Sequence, residues 1–316
     1  MIFKRPIIIG IHGLHNKPSR MLLQSWWKQS IRDGLSRISK RKLYFRFVLV
    51  YWANLLYPRA LSRRVKDETH SLFIDEPYMP PIKETNVKPG PFRKFGLFLA
   101  DRLTNLLFLK GEINTPVNKL WDILIRRFFK DLDIYYFKSL GRKRRKHISG
   151  KKVLRERLRK MLIKYKKRKI LLIAHSMGSI IAYDVLSSLP PQCQIHTFVT
   201  IGSPLGFPAI KRKIRLEQKA DKSRSKDLTV PDAIQEAWFN LSDLRDKVAL
   251  DYQLKDDYKS NHLGIRVVDL PVVNDYEKQG KSNPHKSFGY LRTPELAQVV
   301  HAFLSGENYP VDWKIE

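Results

Sequence analysis

The chain has little of the residues that build disulfide scaffolds, membrane spans and metal clusters. Its 316 residues include one cysteine, Cys193, which excludes an internal disulfide and suits a reducing, cytoplasmic compartment. No run of eighteen apolar residues occurs, so we expect no transmembrane helix, and Ile7-Ile8-Ile9 is too short for the core of a signal peptide. Neither an H-E-x-x-H motif nor a cluster of cysteine and histidine appears, so we expect no metal and no other cofactor.

Acidic residues are also scarce relative to basic ones. Thirty Asp and Glu stand against sixty Lys and Arg, which gives a formal net charge of +30. Such an excess favours anionic partners and says little about the fold. The window 138–169 alone has seventeen basic residues and one acidic residue. It lacks interleaved base-stacking aromatics and any nucleic-acid motif, which disfavours nucleic acid. We therefore expect peripheral contact with an anionic membrane, and the alternative is a solvated helix face.

Apolar residues are plentiful, at 43% of the chain, and their periodicity alternates between strand and helix. Continuous apolar runs predict strands at 6–11, 43–52, 170–174, 195–201, 237–241 and 267–270. Three-to-four spacing predicts helices at 19–38, within 138–169, after residue 176 and at 294–304, and the polar stretch 211–225 is an exposed loop or short helix. The predicted fold class is α/β, with a mostly parallel central sheet covered by helices on both faces.

A long segment between the second and third predicted strands interrupts this alternation. Its first part contains prolines that exclude regular helix, among them Pro77, Pro80, Pro81, Pro89 and Pro91. Two amphipathic helices are predicted after it, one around residues 95–107 and one from Thr115-Pro116 to Phe128. We therefore predict a core domain of residues 1–53 and 149–316, with residues 54–148 as an inserted helical cap or lid.

The third predicted strand leads at once into His175-Ser176-Met177-Gly178 and then a helix. A serine on a tight strand-to-helix turn is typical of a nucleophile, and the turn requires small residues on both sides. Ala174 and Gly178 occupy the positions two before and two after Ser176. The alternative is an ordinary serine at a helix N-cap.

A serine hydroxyl needs an imidazole base, and the base needs a carboxylate that fixes its tautomer. His285 alone among the nine histidines lies in a loop after the last predicted strand. Asp243 and Asp246 both follow the fifth predicted strand. We prefer Asp246 because the apolar Val248, two residues later, can anchor its loop, and Asp243 is the alternative acid.

The turn after the first strand offers backbone N–H groups to a reacting carbonyl oxygen. It contains His12, Gly13 and Leu14, in the position from which such a donor is usually supplied. The alternative is an ordinary strand-to-helix turn. His15 lies next to this loop and either lines a pocket or lies on the surface.

Five segments in this order resemble the α/β-hydrolase superfamily, lipase and esterase branch: His12-Gly13-Leu14, Ala174-His-Ser-Met-Gly178, Gly202-Ser-Pro204, Asp243-Leu-Arg-Asp-Lys-Val248 and Asn283-Pro-His285. The resemblance covers nearly the whole chain except residues 54–148, and Ala174 replaces the first glycine of the usual G-x-S-x-G pattern. It implies Ser176 as nucleophile, His285 as general base and acid, and the N–H groups of Leu14 and Met177 as oxyanion donors. Pocket residues are then His12, Gly13, His15 and His175.

The resemblance implies a serine hydrolase that cleaves a carboxylic ester, of a small molecule or a lipid, or a thioester, through an acyl-enzyme. Two alternatives stay open. One is an acyltransferase that uses the same serine, and the other is a non-catalytic module that binds an anionic membrane or polyanion. We expect a cytoplasmic protein, in solution or peripheral to a membrane. The sequence indicates neither an acyl-chain preference nor an oligomeric state.

Overall fold

The computed structural model describes residues 4–40, 43–81, 135, 149–220, 227–249, 252–310 and 313. The α/β prediction is confirmed, because six strands form one sheet in which every neighbouring pair is parallel. The strands are β1 (Lys4–Ile11), β2 (Arg46–Val50), β3 (Arg168–His175), β4 (Ile195–Ile201), β5 (Ile234–Ser242) and β6 (Val267–Pro271). They lie in the order β2-β1-β3-β4-β5-β6.

Seven α-helices are described, and the longer ones cover the sheet. They are α1 (Arg20–Ile38), α2 (Ala53–Leu56), α3 (Gly150–Tyr165), α4 (Met177–Leu186), α5 (Pro208–Ala220), α6 (Ser287–Tyr290) and α7 (Pro294–Ser305). A 3-10 turn spans Leu254–Asp256, and a small hairpin pairs β7 (Glu277–Lys278) with β8 (Lys281–Ser282). Within the described ranges, no helix is both long and apolar enough to cross a membrane.

Alternate side chains of each strand enter two separate hydrophobic cores. In β1, Ile7 and Ile9 pack with residues of α3, α4 and α5, whereas Ile8 packs with residues of α1 and α7. All three isoleucines are fully buried. Helices on both faces therefore explain why the strands are apolar at nearly every position.

Local signals define the ends of α1 and α7, the two helices that pack with Ile8 on one face of the sheet. The Ser19 side chain accepts a hydrogen bond from the Leu22 N–H and caps α1. The Thr293 side chain caps α7, which has Pro294 at its first position and ends at Gly306 in a left-handed conformation. The predicted bounds of these two helices are correct to within a residue.

Two predicted segments differ from the structure. The strand predicted at 43–52 is shorter, because Tyr51 and Trp52 leave the sheet and Trp52 precedes α2. The stretch predicted as an exposed loop or short helix at 211–225 begins earlier, as helix α5, because Ile210 and Ile214 bury one face against the core. Residues 221–226 lie outside the described residues.

Of the cap predicted for residues 54–148, the structure describes residues 54–81 and 135. Residues 57–81, called the strap below, form turns and irregular backbone as their prolines predict. Both predicted cap helices lie outside the described residues, so the domain division stays a prediction.

The sheet order places a crevice at the carboxyl ends of β1 and β3. From β1 the chain moves outward to β2, and then returns to form β3 on the other side of β1. Ligands of open parallel sheets bind at such a reversal of strand order. The loops that follow β1 and β3 contain Gly13 and Ser176 respectively, so both lie at this crevice.

Candidate active site

Ser176 occupies the strained turn between β3 and α4. Its φ of 53° and ψ of −130° lie in a region that a residue with a side chain rarely adopts. The Ser176 N–H donates to the carbonyl of Ile201, 3.1 Å away, which ties the turn to β4. A Cβ atom at position 178 would lie 2.7 Å from the Ile11 oxygen and 2.8 Å from the His12 oxygen. Gly178 is therefore required where α4 begins against the end of β1.

The structure brings together Ser176, His285 and Asp246. The Ser176 Oγ lies 3.0 Å from His285 Nε2, and His285 Nδ1 lies 2.8 Å from Asp246 Oδ2. The Asp246 carboxylate is completely buried. This series joins a hydroxyl, an imidazole and a carboxylate in the order that nucleophilic catalysis requires.

Asp243 lies on the same loop but faces other partners. Its carboxylate binds the Arg245 guanidinium at 2.6 Å and accepts a hydrogen bond from the Asn274 N–H at 2.6 Å. Asp246 instead accepts the Val248 N–H at 2.9 Å on Oδ1. The Val248 backbone N–H thus holds the Asp246 carboxylate within its loop.

Tyr290 and Gly202 support the Asp246–His285 pair, and the sequence analysis assigned neither of them a role. The Tyr290 hydroxyl donates to Asp246 Oδ2 at 2.8 Å and accepts the Asp243 N–H at 2.9 Å. Burial, reinforced by the Asp246 charge, raises the pKa of Tyr290 well above its usual value, so the phenol stays a donor. A Cβ atom on Gly202, whose φ is +53°, would lie 2.8 Å from the Asp246 carboxylate. The quoted Gly202-Ser-Pro204 segment was the available signal for this close approach.

His12 fixes the loop that follows β1 from behind. Its Nδ1–H donates to the Gly13 carbonyl at 2.8 Å, and its Nε2 accepts the Trp52 N–H at 3.0 Å. The Trp52 indole N–H returns a hydrogen bond to the His12 carbonyl at 2.9 Å. Burial, with a smaller contribution from Lys17, lowers the pKa of His12 to about 3. The neutral ring therefore holds the loop, and both of its nitrogens are used in doing so.

The loop after β1, which contains Gly13, lies directly against the turn at Ser176. A Cβ atom on Gly13 would lie 2.6 Å from the Ser176 Cβ, so the backbone beside Leu14 reaches the serine only because residue 13 is glycine. Met177 opens α4, and its N–H therefore has no acceptor within the helix. The side chain of the neighbouring His15 is exposed, and its backbone turns with a φ of 70°.

His175 connects the turn at Ser176 to the loop that contains His285. Its Nε2–H donates to the His285 carbonyl at 2.8 Å, and the two rings are 4.8 Å apart. Burial, together with the neighbouring His285, lowers the pKa of His175 well below its usual value. A neutral His175 keeps its donor role across the physiological pH range. Its adjacency to Ser176 was visible in sequence, but this contact was not.

The strap connects the β1 loop to the His285 loop. The Arg59 carbonyl accepts a hydrogen bond from the Asn16 side chain. At the strap's other end, Glu76 binds Asn283 at 2.5 Å and Lys286 at 2.8 Å, the residues on either side of Pro284-His285. Burial disfavours the Glu76 charge, but Lys286 and Asn283 outweigh it and lower the pKa of Glu76. No motif in the strap predicted this contact.

No metal cluster is expected from the sequence, and the described part of the chain contains no group of three or more His, Cys, Asp or Glu side chains arranged to hold a metal ion.

Comparison with known proteins adds one match. The family model described as lecithin:cholesterol acyltransferase matches residues 150–213. This stretch begins with α3, contains β3, the Ser176 turn, α4 and β4, and ends within α5. No curated protein matches the chain.

Proposed function

We propose that this chain, a member of the α/β-hydrolase superfamily by its parallel sheet and its family match, is a serine hydrolase that cleaves a lipid ester. The observation that carries the proposal is the hydrogen-bonded series from Ser176 through His285 to Asp246. A non-catalytic module would have no need for a strained serine turn or for a buried carboxylate behind the imidazole.

In the proposed acylation step, the Ser176 Oγ attacks the ester carbonyl carbon while His285 Nε2 accepts the hydroxyl proton. The carbonyl π bond becomes an oxyanion, for which the Leu14 and Met177 N–H groups are the proposed donors. Collapse of this intermediate restores the carbonyl and breaks the bond to the alcohol oxygen, which takes the proton from His285. Asp246 stabilises the imidazolium and maintains the Nδ1–H tautomer throughout.

In the proposed deacylation step, water replaces the alcohol. His285 removes a proton from water as its oxygen attacks the acyl-enzyme, and the second tetrahedral intermediate releases the carboxylic acid. The Ser176 Oγ recovers its proton from His285. Each proton thus passes through one ring nitrogen, which Asp246 and the His175 contact keep in place.

A fluorophosphonate probe tests this proposal directly. Intact mass should show one adduct on the wild-type chain, and peptide mapping should locate it on Ser176. The Ser176→Ala variant should gain no adduct, whereas Ser36→Ala, which removes a serine on α1, should label like wild type. An adduct on another serine, or no labelling of a folded wild-type chain, contradicts the proposal.

Transfer to an alcohol is the second candidate function, and the acyltransferase family match favours it. The acyl-enzyme would be the same, and an acceptor hydroxyl would take the place of water. Incubation with a labelled phospholipid, with and without a sterol or long-chain alcohol, separates the two reactions. A new ester that forms at the expense of free acid supports transfer, and an unchanged yield of acid supports hydrolysis alone.

We also propose that the protein contacts anionic membranes peripherally from the cytoplasm, with residues 54–148 as a cap over the active site. Supporting this proposal, the exposed face of α3 is basic and includes Lys152, Arg159 and Lys160. Flotation with phosphatidylserine vesicles should recover the protein, less so at high salt, and neutral vesicles should not. Equal recovery with both kinds of vesicle contradicts the charge-dependent contact.

A further inference from the structure

A cavity of about 430 Å³ lies between α3 and the carboxyl end of α4. Its lining includes Lys152, Arg155 and Arg159 from α3, and Ser188 from the turn that follows α4. We propose that this cavity, called the α3 pocket, binds a phosphate group, either of a soluble phosphate ester or of a phospholipid headgroup. Its volume is within the range of small-molecule sites.

Arg155 provides the most specific part of the pocket. Its side chain is half-buried, and Nη2 donates to the Asp184 carbonyl at 3.3 Å and to the Ser188 hydroxyl at 2.9 Å. Both acceptors are neutral, so these contacts orient the guanidinium without neutralising it. An oriented guanidinium with donors to spare fits a phosphate, which can accept two parallel hydrogen bonds from it.

The neighbouring charges divide into compensated and uncompensated groups. Lys151 forms ion pairs with Asp184, at 2.8 Å, and with Glu217, so its charge is balanced. The Lys152 side chain is exposed and has neither a hydrogen bond nor an ion pair among the residues that the structure describes. The acidic residue in the pocket lining, Glu156, lies 3.7 Å from Arg159 and balances at most one positive charge. Positive charge from Arg155 and Lys152 therefore remains for an anion.

The pocket is separate from the proposed catalytic residues. Ser176 precedes the first residue of α4 and Ser188 follows its end, and a ten-residue helix is about 15 Å long. No residue of the Ser176–His285–Asp246 series lines the pocket. Phosphate binding would therefore be an additional property of the chain, and it does not depend on ester hydrolysis.

Diffuse attraction to a basic helix is the main alternative, and charge-matched variants of α3 distinguish it. The pocket pair Lys152→Gln/Arg159→Gln removes two charges from the lining. The control pair Lys160→Gln/Lys164→Gln removes two charges from the same helix outside the lining. Arg155→Lys keeps the charge but removes the guanidinium fork, and circular dichroism with a thermal melt checks that each variant folds.

Binding of the full chain is measured in two arms. Calorimetry with inorganic phosphate and with glycerol 3-phosphate tests the soluble source. Flotation on phosphatidylcholine vesicles with and without phosphatidic acid tests the lipid source. In whichever arm binds, the pocket pair and Arg155→Lys should each weaken binding about tenfold, or about 1.4 kcal/mol, because each removes a hydrogen bond to the charged phosphate. In calorimetry, the control pair should weaken phosphate binding less than about twofold, as expected for exposed, salt-screened charges. In flotation, the proposed contact of the basic α3 face with anionic vesicles lowers recovery for both pairs, so Arg155→Lys, which keeps the charge, is the deciding variant in that arm.

Three results would overturn the proposal: equal weakening of soluble phosphate binding by the pocket and control pairs, unchanged binding by Arg155→Lys in the arm that binds, or no binding in either arm. Binding of soluble phosphate alone, or of phosphatidic acid vesicles alone, supports the pocket and identifies its source. Ser176→Ala should bind like wild type, so a failure of the pocket leaves the fluorophosphonate result untouched, and the reverse also holds.

Discussion

The two helices on either side of β3 in the chain, α3 and α4, contact each other and the same core but have opposite surfaces. All ten residues of α4 are buried, whereas five of the sixteen residues of α3 are, namely Gly150, Leu154, Leu158, Leu162 and Tyr165. The remaining positions of α3 are mostly basic.

This contrast separates two requirements of the protein. α4 begins at the Ser176 turn, where the proposed chemistry requires atoms to be held within tenths of an ångström, and the complete burial of α4 supplies that rigidity. α3 needs one apolar stripe to cover the sheet, so its outer face is free to carry charge. We therefore expect changes at the start of α4 to alter turnover, and changes on the outer face of α3 to alter binding.

The largest expected effect is on the α4 side, from Ser176→Ala. Hydrolysis of a p-nitrophenyl ester should fall by a factor of about 10³ or more, because the nucleophile is lost. Circular dichroism should show a folded chain, because the substitution removes one oxygen atom and no packing contact of the core. Full activity in this variant would remove Ser176 from the mechanism.

The two aspartates that follow β5 should differ next. Asp246→Asn should lower kcat by about a hundredfold or more, because the amide cannot hold the required His285 tautomer. Asp243→Asn should instead lower the free energy of unfolding, by about 1–3 kcal/mol, through its weakened contacts to Arg245 and Asn274. Kinetics below the melting temperature, paired with urea unfolding, tests this, and the reverse ranking would exchange the two roles.

Low pH should lower the free energy of unfolding through the buried His12. Its pKa is about 3 in the folded chain and 6.5 as a free side chain, so the unfolded state binds the extra proton. The resulting stability is complete above pH 6.5 and declines by about 1.4 kcal/mol per pH unit as the pH falls toward 3.

Urea unfolding of wild type and His12→Gln at several pH values isolates this contribution. His12→Gln should be less stable at pH 7 and should lose stability less steeply between pH 6 and pH 4. Parallel slopes for the two proteins would contradict the assignment of a neutral, buried His12.

A smaller effect is expected from Gly178→Ala at the start of α4. Alanine in a helix ordinarily stabilises by about 0.5–1 kcal/mol relative to glycine. Here the added methyl would collide with the Ile11 and His12 carbonyls, and crowding of this kind costs about 1–3 kcal/mol, so the net change should be destabilising. Gly264→Ala, where an added Cβ meets no atom within 4 Å, measures the cost of a positive φ alone. A stabilised Gly178→Ala would mean that the turn is looser than the structure shows.

The smallest effect should come from the outer face of α3. Lys160→Gln/Lys164→Gln should change kcat/KM for a soluble short-chain ester by less than about twofold, because both side chains lie away from the residues around Ser176. A large loss of kcat/KM on a soluble substrate would show that the basic face of α3 and the active site are coupled. It would contradict the separation of roles between α3 and α4.

Much of this organisation is local, and local patterns were enough to predict it. Apolar runs identified the six strands, and alternation with helices predicted a parallel sheet, because each period depends on neighbouring residues only. The small residues Ala174 and Gly178 similarly indicated the tight turn at Ser176, since that steric demand arises within five residues. The end of the second strand was misjudged because Trp52 leaves the sheet to bind His12, a contact across forty residues.

Tertiary structure decided which side chains meet. Asp243 and Asp246 both follow β5, and the sequence favoured Asp246 only through Val248. The path of the loop decides that Asp246 faces His285 and Asp243 faces Arg245. The hydrogen bond from Tyr290 to Asp246 also joins residues that are far apart in the chain. The same is true of the contacts that Glu76 makes with Asn283 and Lys286. Sequence by itself determined the elements and the chemical groups of the proposed site. Their distances depend on strand register and loop packing, which no local pattern encodes.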